Sequence, residues 1–291
     1  MPSPYVRRRR LAAEIRKLRE NRGLTSDDLA RLMYYNRAKI SRMENGQSRP
    51  DVGEIMNMLD LLEITGSQYD QLLQLAREAA QKGWWDKYGV SMGPRQKLAA
   101  DLEYNSSTVR SYDQTAMPGA LQCRPFIDAL VRLEESQGAL AYQPERMAEA
   151  RERRQRELLR SDGPTYETIL DESVIHRLAV PTDVMIAQLG HMIQTVSEQE
   201  RVAVRVLRHN TPIPGGFLPQ SSFYLYDFAE PGDPTMAVVD TVTTDPILTQ
   251  RHQVVRYTGM YNRLRRAALS PRASITFLER LANRLANQTG S

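Results

Sequence analysis

The spacing of apolar positions divides the chain into two parts with different periods. In the first 80 residues, Leu11, Ile15 and Leu18 fall at i, i+4 and i+7, one stripe of a helix over residues 6–21 that Gly23 ends. A second helix opens at Thr25, with Asp28 three residues on as in a capping box, and buries Leu29 and Met33. A third opens at Asn36, a good N-cap, and buries Ile40 and Met43; Gly46 lies just past its end. The fourth opens at Asp51, carries Ile55, Met58, Leu59 and Leu62, and is closed by Gly66. A fifth, from residue 68, presents Tyr69, Leu72, Leu73 and Ala76.

Residues 83–97 break this rhythm with Gly83, Trp84, Trp85, Gly89, Gly93 and Pro94, a junction in which two tryptophans call for packing. Beyond it the pattern predicts a helix over 95–105, a strand or extended piece over 108–111, a turn at Pro118-Gly119 and helices over 125–136 and 144–160. Four strands follow, over 166–170, 203–207, 223–228 and 236–240, each bounded by Gly, Pro or Asp. A helix over 183–197 separates the first two, and helices over 246–268 and 271–289 finish the chain. The expected fold is multidomain: an all-α head over residues 1–80 and a mixed α/β domain with a small sheet over 81–291.

Composition narrows the function. With 291 residues, 41% hydrophobic and 25% charged, the chain falls in the soluble globular class. One cysteine, Cys123, excludes a disulfide framework and a multi-thiolate metal site, and the four histidines show no ligand spacing. Apolar runs of about five residues are too short to span a membrane, and the basic N-terminus lacks the apolar stretch of a secretory signal, so a cytoplasmic address is expected. No cofactor is implied. Charge is uneven: residues 1–50 hold 13 Lys and Arg against 5 Asp and Glu, a balance of +8, while the remainder holds 26 against 30. A basic head on a mildly acidic body suits a polyanionic partner, or is a solvated charged surface.

The second and third helices, joined by a short turn at residues 34–36, match a helix-turn-helix. Leu29, Ala30, Ile40 and Met43 point inward, with Ala30 small where two helices approach. Arg37, Lys39, Ser41 and Arg42 remain outward. In this motif the second helix lies in the major groove of double-stranded DNA with its N-terminal residues at base edges, where the arginine fork pairs with guanine. Ser26, Tyr35, Asn36, Arg37, Ala38, Lys39, Ser41, Arg42 and the loop residue Arg49 form the expected DNA-binding set. One such motif covers one half-site, so a homodimer is expected.

The stretch "LTSDDLARLMYYNRAKISRMENGQSRP" resembles the Cro/C1 (XRE-type) DNA-binding domain, through Thr25, Leu29, Ala30, Ile40, Ser41, Glu44, Gly46 and Pro50. Ser26 replaces that family's frequent glutamine, a phosphate contact, and Tyr34-Tyr35 replace the common Gly-Val of the turn. "WWDKY", "YNSSTVRSYDQTAMPGALQCRPF", "LDESVIHRL", "QLGHM", "VAVRVL" and "SSFYLYDF" resemble, in order, actinobacterial regulators of the WhiJ type. Ala120, Cys123 and Phe126 depart from that group's more usual Leu, Thr and Tyr. The resemblance implies an antitoxin-like regulator with a small acidic partner protein. The basic side chains that could meet it are Arg151, Arg153, Arg154 and Arg156, on the charged helix over 144–160. A small-molecule effector is the other input expected for the C-terminal domain.

Other features allow two readings each. Arg7–Arg10 is a phosphate-holding arm or a solubilising terminus; Trp84-Trp85 stacks on a ligand or fills a core; Cys123 is a redox switch or an inert thiol. Pro118-Gly119 and residues 212–216 fit no phosphate-loop spacing, Asp171 and Glu172 are adjacent and so diverge, His176 reads as a partly exposed histidine, and Ser221-Ser222 lacks a nucleophile elbow. No enzyme is therefore expected. The competing reading is a ligand-binding or enzymatic α/β domain localised by a DNA-binding head, and a third is an antitoxin whose main task is to sequester its partner.

Overall fold

The computed structural model describes residues 3–216, 219–242 and 244–289. They form two compact units. The first comprises residues up to Lys87 together with Lys97–Asn105 and Glu230–Asp233. Its helices are α1 (Pro4–Asn21), α2 (Ser26–Leu32), α3 (Arg37–Glu44), α4 (Val52–Leu61) and α5 (Gly66–Ala79). Ser3 caps α1 by accepting from the Val6 N–H, and Pro4 starts it where no donor is needed. Thr25 and Asp28 close a full capping box on α2, and Asn36 and Asp51 cap α3 and α4. Leu11, Ile15, Leu18, Leu29, Ile40, Ile55, Met58, Leu59, Leu62, Leu72 and Ala76 make one continuous core.

This unit reaches beyond the 1–80 expected from the sequence, because two buried carboxylates tie distant segments to α1. Asp101, on α6 (Pro94–Asn105), accepts from the Ser3 hydroxyl at 2.5 Å and the Tyr5 N–H at 3.2 Å. Arg7 is 6% exposed and lies 3.2 Å from both Glu78 and Asp233. The four-arginine run is therefore no free arm: Arg7 is an internal ion pair, Arg9 donates to the Asn45 carbonyl at 3.0 Å, and Arg10 meets Asp233 at 3.5 Å. Trp85 is buried, edge-on to Trp84 at 5.7 Å and to Tyr104 at 6.2 Å, so Trp85 is core and the half-buried Trp84 packs on it. Glu63, at φ +52°, takes the left-handed position after α4; Gly66 opens α5 instead of closing α4.

The second unit is built on a six-stranded mixed sheet of order β3-β2-β1-β4-β5-β6. Strand β1 (Thr108–Asp113) lies inside it, parallel to β2 (Thr165–Asp171) and antiparallel to β4 (Phe223–Asp227). Strand β3 (Val202–Leu207) continues the parallel side, and β5 (Met236–Val239) and β6 (Ile247–Leu248) the antiparallel side. The parallel crossovers run through α7 (Arg124–Glu135) and α8 (Pro144–Leu158), then α9 (Glu172–His176) and α10 (Thr182–Glu198). Helix α11 (Arg251–Ala267) lays Tyr261 and Leu264 on Tyr112, Ile169, Phe223 and Leu225 of one sheet face, and α12 (Pro271–Thr289) packs on α10 and β3.

Two expectations change. The extended piece over 108–111 is a full central strand. The helix expected over 246–268 begins only at Arg251, because Ile247 and Leu248 pair with Val238 and Ala237 as an edge strand.

Candidate nucleic-acid interface

Helices α2 and α3 carry the candidate site, and one buried ion pair fixes their placement on α1. Arg19 and Glu44 have side chains only 9% and 4% exposed, and join through Nε–Oε1 at 2.5 Å and Nη2–Oε2 at 3.1 Å. The Glu44 carboxylate holds the Arg19 guanidinium above its ordinary pKa. The Ser26 hydroxyl donates to the same carboxylate at 3.3 Å, which ties the start of α2 to the end of α3. Arg16 donates to the Glu44 carbonyl at 3.0 Å and to Asn45 Oδ1 at 2.9 Å, covering acceptors that the helix end leaves open. Gly46 follows at φ +62°; a Cβ there would lie 3.2 Å from the Arg8 carbonyl, so both conformation and space require glycine.

The structure separates the expected DNA-binding residues. Asn36, Arg37, Ala38, Ser41 and Arg42 are exposed, and they form the outward face of α3. Arg37 lies 3.6 Å from Asp27, an exposed pair worth well under ~1 kcal/mol and easily exchanged for a phosphate or base. Arg49 is exposed in the following loop, 2.9 Å from Asp86. Lys39 and Tyr35 are turned otherwise. Lys39 pairs with Glu54 and lies 3.5 Å over the Tyr35 ring, and Tyr35 packs against the core. These two brace the start of α3 rather than extend its outer face. Ser26 is half-buried on Glu44. The sequence placed Lys39 outward because helical spacing does not show which neighbour a long side chain folds onto.

A cleft of about 270 Å³ beside α3 is lined by Arg8, Lys39, Arg42, Arg49, Asp51 and Glu54 among others, so four cations cluster around α3 with two carboxylates among them. Burial pushes the Arg8 guanidinium below its ordinary pKa. The sequence reading missed Arg8 as a member of this cleft, since it sits in the N-terminal arginine run.

The second unit holds a cavity of about 590 Å³ at the start of α11. Pro234, Val254 and Val255 supply apolar wall; Thr249, Thr258 and Asn262 supply hydrogen-bonding groups. On its floor Asp227 accepts from Arg110 at 2.6 Å and from Thr235 at 2.7 Å. Behind them Glu167 collects Tyr261, Arg205 and Arg265 at 2.6, 2.8 and 2.5 Å. Burial alone would raise Glu167, but these bonds outweigh it and hold the carboxyl below its ordinary pKa.

The four arginines expected to meet a partner do not share one exposed face. Arg151 donates to Gln122 at 2.9 Å and burial lowers its pKa, Arg153 lies 3.4 Å from Glu157, and Arg154 is half-buried beside Gly119. Arg156 is the exposed one. Asp171 caps α9, Glu172 accepts from the His209 N–H at 2.9 Å, and His176 lies 3.2 Å from Glu172. Cys123 is buried, which raises its thiol pKa and makes it a poor thiolate. Among the described residues no His, Cys, Asp and Glu cluster could hold a metal, and no helix is long and apolar enough to cross a membrane.

A family profile described as a helix-turn-helix domain matches residues 10–72. A second, described as a domain of unknown function (DUF5753), matches residues 96–280. That match spans more than half of the chain, which belongs to this family. No curated protein and no solved structure matches it.

Proposed function

We propose that this member of the DUF5753 family is a sequence-specific transcriptional regulator that binds double-stranded DNA through its helix-turn-helix and senses a second molecule through residues 96–280. The observation that carries the reading is the outward face of α3. Arg37 and Arg42 stand exposed on a helix whose opposite side is locked by Ile40 and the Arg19–Glu44 pair. Such a helix presents arginine forks to base edges while its position is held by the core. Arg49, and the cations of the neighbouring cleft, suit phosphates. Two copies related by a two-fold axis would read half-sites about one helical turn apart, roughly 34–36 Å. The test is selection of duplexes from a random pool by the full chain, followed by footprinting. An inverted repeat is expected; a compact single half-site bound by one chain would remove the dimer, and an unselected pool would remove sequence reading.

For the C-terminal domain two inputs are supported by different observations. The 590 Å³ cavity has the size and the mostly apolar lining, with a few convergent polar groups, that suit a small-molecule effector. The small acidic partner protein of an antitoxin-like, WhiJ-type regulator is supported by the charged helix α8, on which Arg156 is exposed and Arg153 partly so. Either would change DNA affinity only by binding two arrangements of the dimer unequally. Reversing Arg153 and Arg156 to glutamate should weaken an acidic partner and spare DNA binding.

A further inference from the structure

The first four helices of the chain end in the same backbone motif. In each, an N–H reaches back five residues: Leu24 to Arg19 at 3.2 Å, Tyr35 to Ala30 at 2.8 Å, Gln47 to Arg42 at 3.0 Å and Ile64 to Leu59 at 3.0 Å. This Schellman arrangement puts the residue before each donor in the left-handed region, where glycine is favoured. Gly23 and Gly46 meet that demand at φ +68° and +62°. Glu63 does not, at φ +52°, but its carboxylate takes an ion pair from Arg22 at 2.5 Å. Tyr34, at φ +55°, is the fourth.

Nothing among the described residues explains a tyrosine at that position. Its side chain is 96% exposed, against 45% for its neighbour Leu32, and it makes no hydrogen bond, ring contact or ion pair among the described residues. Tyr35, the adjacent aromatic, does pack and carries Lys39. An exposed side chain that holds its backbone left-handed, with no such partner among the described residues, costs stability that a partner outside the chain would offset. Its place says which partner. Tyr34 sits in the turn between α2 and α3, just past the Met33 cap that ends α2 and two residues before the Asn36 cap that starts α3. The first helix of the motif crosses the sugar–phosphate backbone there, and tyrosine hydroxyls are regular donors to phosphate oxygens.

We infer that Tyr34 is a backbone-clamping residue, whose hydroxyl donates to a DNA phosphate at the edge of the groove read by α3. The inference rests on the DNA-binding reading above. It predicts opposite signs for stability and binding at one position. The experiment uses the full chain, its Tyr34→Gly and Tyr34→Phe variants, a duplex selected by the wild-type chain, and a random duplex of equal length. Both tryptophans of the sequence, Trp84 and Trp85, belong to the helical unit, so their fluorescence reports its melting.

Tyr34→Gly should raise the melting midpoint by about 4–8 °C, because the left-handed penalty is removed. The same change should lower affinity for both duplexes roughly 3- to 10-fold, the worth of one hydrogen bond. Tyr34→Phe should leave the midpoint unchanged and lose the same affinity. Undiminished affinity in either variant would overturn the inference, as would a loss confined to the selected duplex, since phosphates are common to both. A wild-type chain that binds neither duplex would overturn the regulator reading itself, a result distinct from any of these.

Discussion

Replacing Glu44 by alanine removes one half of a buried ion pair and leaves the other half in place. Arg19 would keep its charge at a position where its side chain is 9% exposed, with only the Leu24 carbonyl at 2.7 Å and the more distant Glu20 at 3.6 Å for company. Breaking a buried pair in this way costs about 3–5 kcal/mol, because the orphaned ion has lost water and partner together. Ser26 also loses its acceptor, and among the described residues α3 keeps only the Arg9 and Arg16 bonds to its C-terminal end as polar ties to α1. In urea, followed by tryptophan fluorescence, the midpoint of the helical unit should fall at unchanged slope. The double variant Arg19→Met/Glu44→Leu should recover most of the loss, since an apolar pair of similar volume replaces the ions without a stranded charge. A loss below about 1 kcal/mol for Glu44→Ala, or a double variant as unstable as the single one, would refute the view that this pair is buried and coupled.

Arg7→Met should destabilise the same unit by less than Glu44→Ala, since Asp233 keeps Arg10 at 3.5 Å and Glu78 keeps Gln74 at 3.0 Å, and should leave the salt dependence of DNA binding unchanged; a flatter slope would mean that Arg7 reaches phosphates after all. Arg49→Ala should weaken binding to all sequences alike and reduce the salt slope by about 1, measured by titration at several ionic strengths. Burial pushes Asp101 up to about 6, against its bonds from Ser3, Tyr5 and Asn105. A folded-state pKa above the unfolded value means stability that is present at low pH and lost as the pH rises from about 4 through about 6. Asp101→Asn cannot ionise, so its penalty relative to wild type should shrink over that window; a penalty independent of pH would contradict a buried, titrating carboxyl.

The helical unit was largely legible in the sequence because its signals are local. Thr25 with Asp28, Asn36 and Asp51 cap where caps were expected, and the i, i+4, i+7 stripes became the core. What was not legible depends on distant partners. The arginine run read as a phosphate-holding arm or a solubilising terminus because Glu78 and Asp233 lie far along the chain from Arg7. Lys39 looked outward until Glu54 and Tyr35 were placed around it. Strand β1 reads polar, Thr-Val-Arg-Ser-Tyr-Asp, yet it lies inside the sheet. Its buried Asp113 is satisfied by Ser111 at 2.7 Å, Thr168 at 2.9 Å and Tyr224 at 2.7 Å, three donors from three strands. The arginines of α8 were grouped by composition, whereas the helix surface divides them between Gln122, Glu157 and solvent.

The central claim is that α3 reads sequence, and the most direct measurement is the affinity of Arg37→Ala for a selected duplex and for its scrambled counterpart at one fixed salt concentration. The account predicts a loss of roughly 1–3 kcal/mol on the selected duplex, with preference relaxed at a single base pair and the scrambled duplex far less affected. Equal losses on both duplexes, or no loss on either, would contradict it.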